Sequence, residues 1–276
     1  MTKKYLAIFL FFSLLFSNNI ALAQNESSVI LKVPYTSEIP TGSWTKPWNN
    51  ACEEASIVMV KGYYFGYEST TKKIAAADMM PLFKIEDKIF GSNADTTAAQ
   101  TAKLINNYTD ITAEVKENPT VDEIKNELSA GHPVIAMLNM KNIINKNHRF
   151  RAGGSYYHVL VIIGFDDSTK EFVTNDNGNA INGADYRFKY DDIMDNLHDF
   201  NQKTRRTDGP ARVLFTDSKI LYKAKNDPKV YLIKHDVKYH IASSDIFKKH
   251  GWQWKKIKIV EQKKLDNLIT GDPISS

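Results

Sequence analysis

Residues 49–60 read NNACEEASIVMV and place Cys52, the only cysteine of the chain, at the start of an apolar run. Polar residues before such a run indicate the start of a helix, with Asn49 or Asn50 capping its free amides and Gly62 ending it. A thiol in the first helical turn feels the positive end of the helix dipole, which favours the thiolate. The stretch therefore predicts a helix that carries a cysteine nucleophile. The alternative is a buried cysteine that acts as a small hydrophobic residue.

The composition limits the class of protein and its partners. With 276 residues, 42% hydrophobic and 25% charged, the chain is long enough for a main domain and a smaller companion. Its formal net charge is +4, and part of that charge lies in an N-terminal segment expected to be removed. A charge this small predicts neither a nucleic-acid partner nor a polybasic membrane contact.

The N-terminus has the pattern of a secretory signal peptide. Lys3 and Lys4 precede an apolar run over residues 5–16, and a small-x-small sequence ends at Ala23. We therefore expect residues 1–23 to be a signal peptide cleaved after Ala23, and the protein to be secreted or extracytoplasmic. The apolar run is shorter than the ~20 residues of a membrane-spanning helix, so no stable membrane anchor is expected. A free thiol in an oxidising compartment favours a catalytic role for Cys52.

A predicted β-hairpin over residues 156–176 provides partners for this cysteine. His158 and Asp176 are equidistant from Asp167 in the turn. In a regular antiparallel hairpin such residues face each other, close enough for their side chains to form a hydrogen bond. A histidine and a carboxylate paired in this way are the base and the orienter that a cysteine nucleophile needs. A purely structural His–Asp pair is the alternative.

The neighbouring residue Asn175 also has a side chain that can orient a histidine. The regular register places Asn175 opposite Val159 and on the other side of the sheet from Asp176. A bulge in either strand would exchange the two residues, and Gly164 is a plausible place for one. The regular register therefore favours Asp176.

The sequence predicts no metal site and no cofactor. Residues 174–179 read TNDNGN and are rich in oxygen ligands, but they lack the acidic pattern of a calcium loop. A single cysteine and the absence of a His-x-x-x-His pair on a helix leave no zinc-binding spacing.

The composition changes after residue 217. Short apolar segments alternate with lysines to the end of the chain, which predicts a small C-terminal module over residues 218–276. The main domain is then expected to span residues 29–217.

Several motifs of the main domain together resemble the C39-like peptidase family of papain-like fold. They are VPYTS (33–37), CEEAS (52–56), GHPVI (131–135), HVLVIIGFD (158–166) and ND (175–176). The resemblance covers about residues 29–215 and implies an α+β fold in which the nucleophile helix packs on an antiparallel sheet. It further implies that Cys52 is the nucleophile, His158 the general base and Asp176 the orienter of the histidine.

The sequence departs from the family pattern at two positions. Glu38 stands where the family often has a glutamine that is thought to donate to the oxyanion. An ionised carboxylate would repel an oxyanion, so the hole would be weak or would use the Cys52 amide with Asn49, Asn50 or a protonated Glu38. Asn177 stands where the family usually has proline, a change expected to matter less because the preceding carboxylate is intact.

These features predict an exported cysteine peptidase-like hydrolase of peptide or isopeptide bonds, acting through a thioester on a peptide or protein substrate. A catalytically silent surface or wall-binding protein is one alternative, and an acyl transferase with the same triad is another. The C-terminal module also resembles, more weakly, a short module of bacterial exported proteins, which would allow cell-wall or surface contact. Its motifs are VYLI (230–233), YHI (239–241), GW (251–252) and GDPI (271–274).

Overall fold

The computed structural model describes residues 27–141, 143, 156–178, 182–234 and 237–276. The predicted signal peptide lies outside these residues. No helix within them is long and apolar enough to cross a membrane.

A seven-stranded antiparallel sheet forms the centre of the main domain, in the order β2-β7-β3-β4-β5-β6, with β1 paired to β4. Strands β3 and β4 are central and buried on both faces, which explains their continuous apolar sequences. The strands are β1 (Ser28–Ile30), β2 (Ile111–Glu117), β3 (Val134–Asn139), β4 (Tyr157–Asp166), β5 (Glu171–Asn175), β6 (Tyr186–Lys189) and β7 (Arg212–Ser218).

Of the five helices in the described part of this domain, four pack on the sheet and the fifth, α2, packs on α1 and α3; α1 is the most deeply buried of them. Every residue of α1 except Lys61 is buried, because the helix packs against β4 on one side and α2 on the other. The helices are α1 (Cys52–Tyr64), α2 (Lys72–Phe90), α3 (Ala98–Tyr108), α4 (Val121–Ser129) and α5 (Tyr190–Met194). The predicted fold class, α+β and papain-like with the Cys52 helix packed on an antiparallel sheet, is confirmed.

The ends of α1 differ from those predicted. Residues Trp48–Asn50 form a 3-10 turn, and Ala51 is the N-cap without a side-chain hydrogen bond, so capping by an asparagine is wrong. The helix also continues past Gly62 to Tyr64. Gly62 is instead a contact point, since a Cβ there would lie 2.8 Å from Cγ of Pro34.

A second sheet of five strands occupies the C-terminal part, in the order β11-β8-β9-β10-β12. Its elements are β8 (Ile220–Ala224), β9 (Tyr231–Lys234), β10 (Val237–His240), α6 (Ser244–Lys249), β11 (Lys258–Val260), α7 (Gln262–Asp266) and β12 (Ile269–Thr270). Tyr222, Ile233 and Leu265 belong to the same hydrophobic cluster as α1. The sheet therefore begins near the predicted boundary but shares a core with the main domain, and the division at residue 217 stays a prediction.

The β4–β5 hairpin has a register different from the one predicted. Asn175 pairs with Val161, not with Val159, and the register shifts between Ile162 and Gly164. This bulge lies at the predicted place. Gly164 contacts the carbonyl of Val29 so closely that no side chain fits there, which ties the irregularity to the pairing of β1 with β4.

Candidate active site

Cys52 begins α1 and is 4% exposed, at the end of the sheet where β4 starts. Its thiol donates to Glu53 Oε2 over 3.1 Å. Glu53 is itself buried, and its Oε1 accepts from the backbone amide of Thr96 at 2.7 Å. The thiol is therefore held by a carboxyl group of its own helix.

The surroundings of Cys52 raise the pKa of its thiol well above the usual value. Burial is the largest cause, followed by the negative charges of Glu53, Glu38 and Asp95. This direction is opposite to the one predicted from the helix dipole. The partial charge of a helix end acts weakly against desolvation combined with several nearby carboxyl groups.

His158 and Asp176 form a buried pair. The ring Nε2 of His158 lies 2.9 Å from Asp176 Oδ1, and the side chains are 4% and 1% exposed. Because a carboxylate can only accept, the imidazole donates from Nε2. Asp176 Oδ1 also accepts from the amide of Gly178 at 3.3 Å. This is the hydrogen bond that the sequence predicted, although the register used to predict it was wrong.

Glu38 completes a compact group around the thiol. One carboxylate oxygen of Glu38, Sγ of Cys52 and one ring nitrogen of His158 all lie within 4.8 Å of one another. Glu38 and Cys52 are close along the chain, whereas His158 lies more than a hundred positions after both. They meet because the segment after β1, the start of α1 and the start of β4 converge.

The protonation of Glu38 decides whether it can act at an oxyanion hole. Its side chain is buried, and desolvation with the charges of Asp176, Glu53 and Asp95 raises its pKa to about 8. At neutral pH the group is therefore mostly the neutral acid, which can donate a hydrogen bond. A neutral Glu38 close to the thiol is one of the donors expected from the sequence, and its role at an oxyanion stays a prediction.

Asn50, the other predicted oxyanion residue, lies in the 3-10 turn two positions before Cys52 and is partly exposed. The structure brings Cys52, His158, Asp176 and Glu38 together, whereas the role of Asn50 stays a prediction.

Asn177 has a larger structural role than the sequence indicated. Its Nδ2 lies 2.9 Å from the carbonyl of Cys52, 2.9 Å from that of Val159 and 3.0 Å from Ser56 Oγ. Its own carbonyl accepts from the amide of Glu38 at 3.0 Å. A single buried residue thus connects the nucleophile helix, the histidine strand and the Glu38 segment. The departure from the family proline at this position was the available sequence signal.

Two tryptophans of the segment before α1 have different environments. Trp48 is buried and packs edge-on against Phe83, with ring centroids 5.5 Å apart. Trp44 is 57% exposed. Of the two, only Trp44 is therefore accessible from solvent.

A buried cysteine at a helix start, beside a histidine that a carboxylate holds on a sheet, is the arrangement of papain-like cysteine peptidases. Residues 30–205 match the model of the Peptidase_C39 like family, and the chain belongs to this family. The family and the proximity of Cys52 to His158 support a peptidase-like enzyme.

Solved structures similar to this chain include the following two. One is a putative C39-like peptidase from Bacillus anthracis, with a TM-score of 0.45 and 15% identity, covering 69% of this chain and 98% of that chain. The other is xylellain, a cysteine protease from Xylella fastidiosa, with a TM-score of 0.28 and 14% identity, covering 75% of this chain and 85% of that chain. Among curated proteins, none matches the chain significantly.

Proposed function

We propose that this protein is an exported cysteine peptidase that hydrolyses peptide or isopeptide bonds through Cys52, His158 and Asp176. The observation that carries the proposal is the proximity of the Cys52 thiol to the ring of His158, whose Nε2 is held by Asp176. Export rests on the N-terminal sequence pattern of residues 1–23.

The raised pKa of Cys52 makes the resting nucleophile a neutral thiol. His158 then acts as a general base that accepts the thiol proton while sulfur attacks the carbonyl carbon of the substrate. The bond to the leaving amine breaks as His158 returns the proton to the nitrogen, and a thioester on Cys52 remains. Water, deprotonated by His158, hydrolyses the thioester and restores the thiol. Asp176 keeps the imidazole oriented throughout.

The oxyanion of each tetrahedral intermediate requires hydrogen-bond donors. The first amides of a helix have no intrahelical partner, so the Cys52 amide at the start of α1 can donate. The protonated carboxyl of Glu38 can supply a second donor close to the reacting sulfur. Glu38 then performs the role that a glutamine would perform, but only in its neutral form.

A peptide library with a fluorogenic readout tests this proposal. We expect cleavage by the wild-type protein and none by Cys52→Ala or His158→Ala. His132→Ala is the matched control, since His132 lies elsewhere and contacts Glu127 at 2.8 Å. Absence of cleavage, together with no labelling of Cys52 by a thiol-directed activity probe, would support the silent surface protein. Product formation only with an added amine acceptor would identify a transferase.

A further inference from the structure

Three donor atoms of different chemistry meet at the active site. They are a carboxylate oxygen of Glu38, Sγ of Cys52 and a ring nitrogen of His158, all within 4.8 Å of one another. The residues are 6%, 4% and 3% exposed, so the group is nearly closed to bulk water. Sulfur, imidazole nitrogen and carboxylate oxygen are the ligand types that Zn²⁺ takes in proteins.

The distances between these donor atoms would suit a tetrahedrally coordinated ion if the three side chains moved slightly closer together. Zinc–ligand bonds of about 2.0–2.3 Å place the ligands of a tetrahedral site about 3.5 Å apart. The three side chains would therefore move together by little more than ~1 Å, which rotations about their side-chain bonds can supply. Three protein ligands leave a fourth position for water.

The hydrogen bond between His158 and Asp176 is of the kind that usually orients a metal-binding histidine. Ligating histidines usually donate their other ring nitrogen to a carboxylate, which fixes the ring and increases the basicity of the ligand nitrogen. Here Nε2 of His158 lies 2.9 Å from Asp176 Oδ1, so Nδ1 would be the metal ligand. Glu53, whose Oε2 lies 3.1 Å from the Cys52 sulfur, adds a further carboxyl group beside the site. This concentration of carboxyl groups favours a divalent cation.

Glu38 distinguishes this site from a simple cysteine–histidine pair. A glutamine at this position would offer a neutral amide oxygen, which is a weaker zinc ligand than a carboxylate. The carboxylate adds the third ligand that converts two donors into a site with the ligand number of catalytic zinc centres.

We propose that Glu38, Cys52 and His158 bind one Zn²⁺ ion, which replaces the thiol proton and reversibly blocks the nucleophile. The bound ion occupies the sulfur lone pair that would attack the substrate. Because the ligands bind in their deprotonated forms, the proton of the Cys52 thiol and that of the Glu38 carboxyl group both pass to solvent. Inhibition by zinc rests on the proposed peptidase function, whereas binding of the ion does not.

Titration of the full, reduced chain with Zn²⁺ alone, followed by calorimetry, tests the site. We expect one equivalent to bind. Substitution by Co²⁺ should give a near-ultraviolet thiolate-to-cobalt charge-transfer band that Cys52→Ser lacks. Glu38→Gln should weaken binding by at least about tenfold. Glu114→Gln is the matched control, because Glu114 is exposed on β2 and far from the thiol in sequence, and it should leave binding unchanged.

A second measurement does not depend on any variant. Zinc should protect Cys52 of the wild-type protein from iodoacetamide, and a chelator should restore alkylation. No stoichiometric binding, no protection, or equal affinity in folded Glu38→Gln would overturn the site. If zinc binds as expected but no peptide is cleaved, the site stands and the peptidase proposal fails. If peptides are cleaved and zinc does not bind, the peptidase proposal stands and the zinc site fails.

Discussion

Nε2 of His158 lies 2.9 Å from Asp176 Oδ1 although the two residues are not directly opposite in the β4–β5 hairpin. Continuing the observed register by one residue beyond Asn175 places Asp176 beside Leu160, two positions along the strand from His158. The pair is therefore a diagonal neighbour on one face of the sheet, a separation that an imidazole and a carboxylate can bridge.

This geometry predicts different effects of substituting Asp176 and its neighbour Asn175. Asp176→Ala removes the orienter of His158, so we expect kcat to fall by about 10²-fold or more with the fold retained. The side chain of Asn175 donates to the carbonyl of Val33 at 3.0 Å, so Asn175→Ala should cost mainly stability. Steady-state kinetics and circular dichroism on both variants check this. A larger loss of kcat for Asn175→Ala would mean that the orienter is misassigned.

The sequence alone predicted the helix, the sheet and the residues that meet at the site, because each depends on local patterns and on motifs in a fixed order. The hairpin register was wrong because the bulge beside Gly164 depends on a contact with Val29, more than a hundred residues away. The predicted register placed Asp176 on the correct face of the sheet, that of His158, but two residues away from its observed position along β4.

The protonation and hydrogen bonding of the site were harder to predict than the identity of its residues. The helix dipole suggested a lowered pKa for Cys52, but burial, and after it the charges of the carboxyl groups of Glu53, Glu38 and Asp95, raise this pKa in the folded chain. The proposed zinc site joins Glu38 and Cys52 to His158, which lies more than a hundred residues further along the chain, so no local ligand spacing could reveal it. Asn177 was underestimated because its partners come from three separate elements.

Asn177→Ala should destabilise the protein and lower its activity together. The substitution leaves the buried carbonyls of Cys52 and Val159 without the Nδ2 donor, at a cost of about 1–3 kcal/mol in the free energy of unfolding. Urea unfolding measures the stability, and kcat measures the placement of Cys52 against His158. Asn106→Ala is the control: Asn106 is an exposed asparagine of α3 whose Nδ2 donates to the carbonyl of Ala113 at 2.7 Å, so its loss should lower stability without changing kcat of the folded fraction. Unchanged stability and kcat in Asn177→Ala would contradict the bridging role.

The raised pKa of the Cys52 thiol predicts slow alkylation near pH 6. We expect iodoacetamide to react with the free enzyme more slowly than with a model thiol, and the rate to rise as pH increases through the alkaline range. Glu53→Gln removes a negative charge and a hydrogen bond that both disfavour the thiolate, so its alkylation should be faster at each alkaline pH. Alkylation of the wild type faster than the model thiol at pH 6 would show a thiolate at rest.

The buried carboxyl groups of Glu54 on α1 and Glu86 on α2 should make a contribution to stability that decreases as pH rises. Both side chains are buried, and desolvation is the main reason that the pKa of each carboxyl group is raised. A raised pKa in the folded state means that the folded protein holds protons that the unfolded chain releases. The contribution of these two groups to stability is therefore greatest below the usual glutamate pKa and falls as pH rises toward their folded pKa values. Glu54→Gln should flatten this dependence in thermal unfolding from pH 4.5 to 9, whereas exposed Glu114→Gln should not.

The last prediction concerns how kcat falls at alkaline pH as the carboxyl group of Glu38 ionises. Its pKa of about 8 means that the donor form is present below that pH and is lost as pH rises through it, so oxyanion stabilisation should weaken above pH 8. Glu38→Gln supplies a neutral donor at every pH. We therefore expect little gain near pH 7 but a growing advantage of the variant at pH 9, bounded by the roughly 10² to 10³ that one oxyanion donor contributes to kcat. The ratio of kcat values for variant and wild type isolates this effect, because ionisation of Cys52 contributes to both profiles. A ratio that stays constant from pH 6 to 9.5 in folded protein would place Glu38 outside the oxyanion hole.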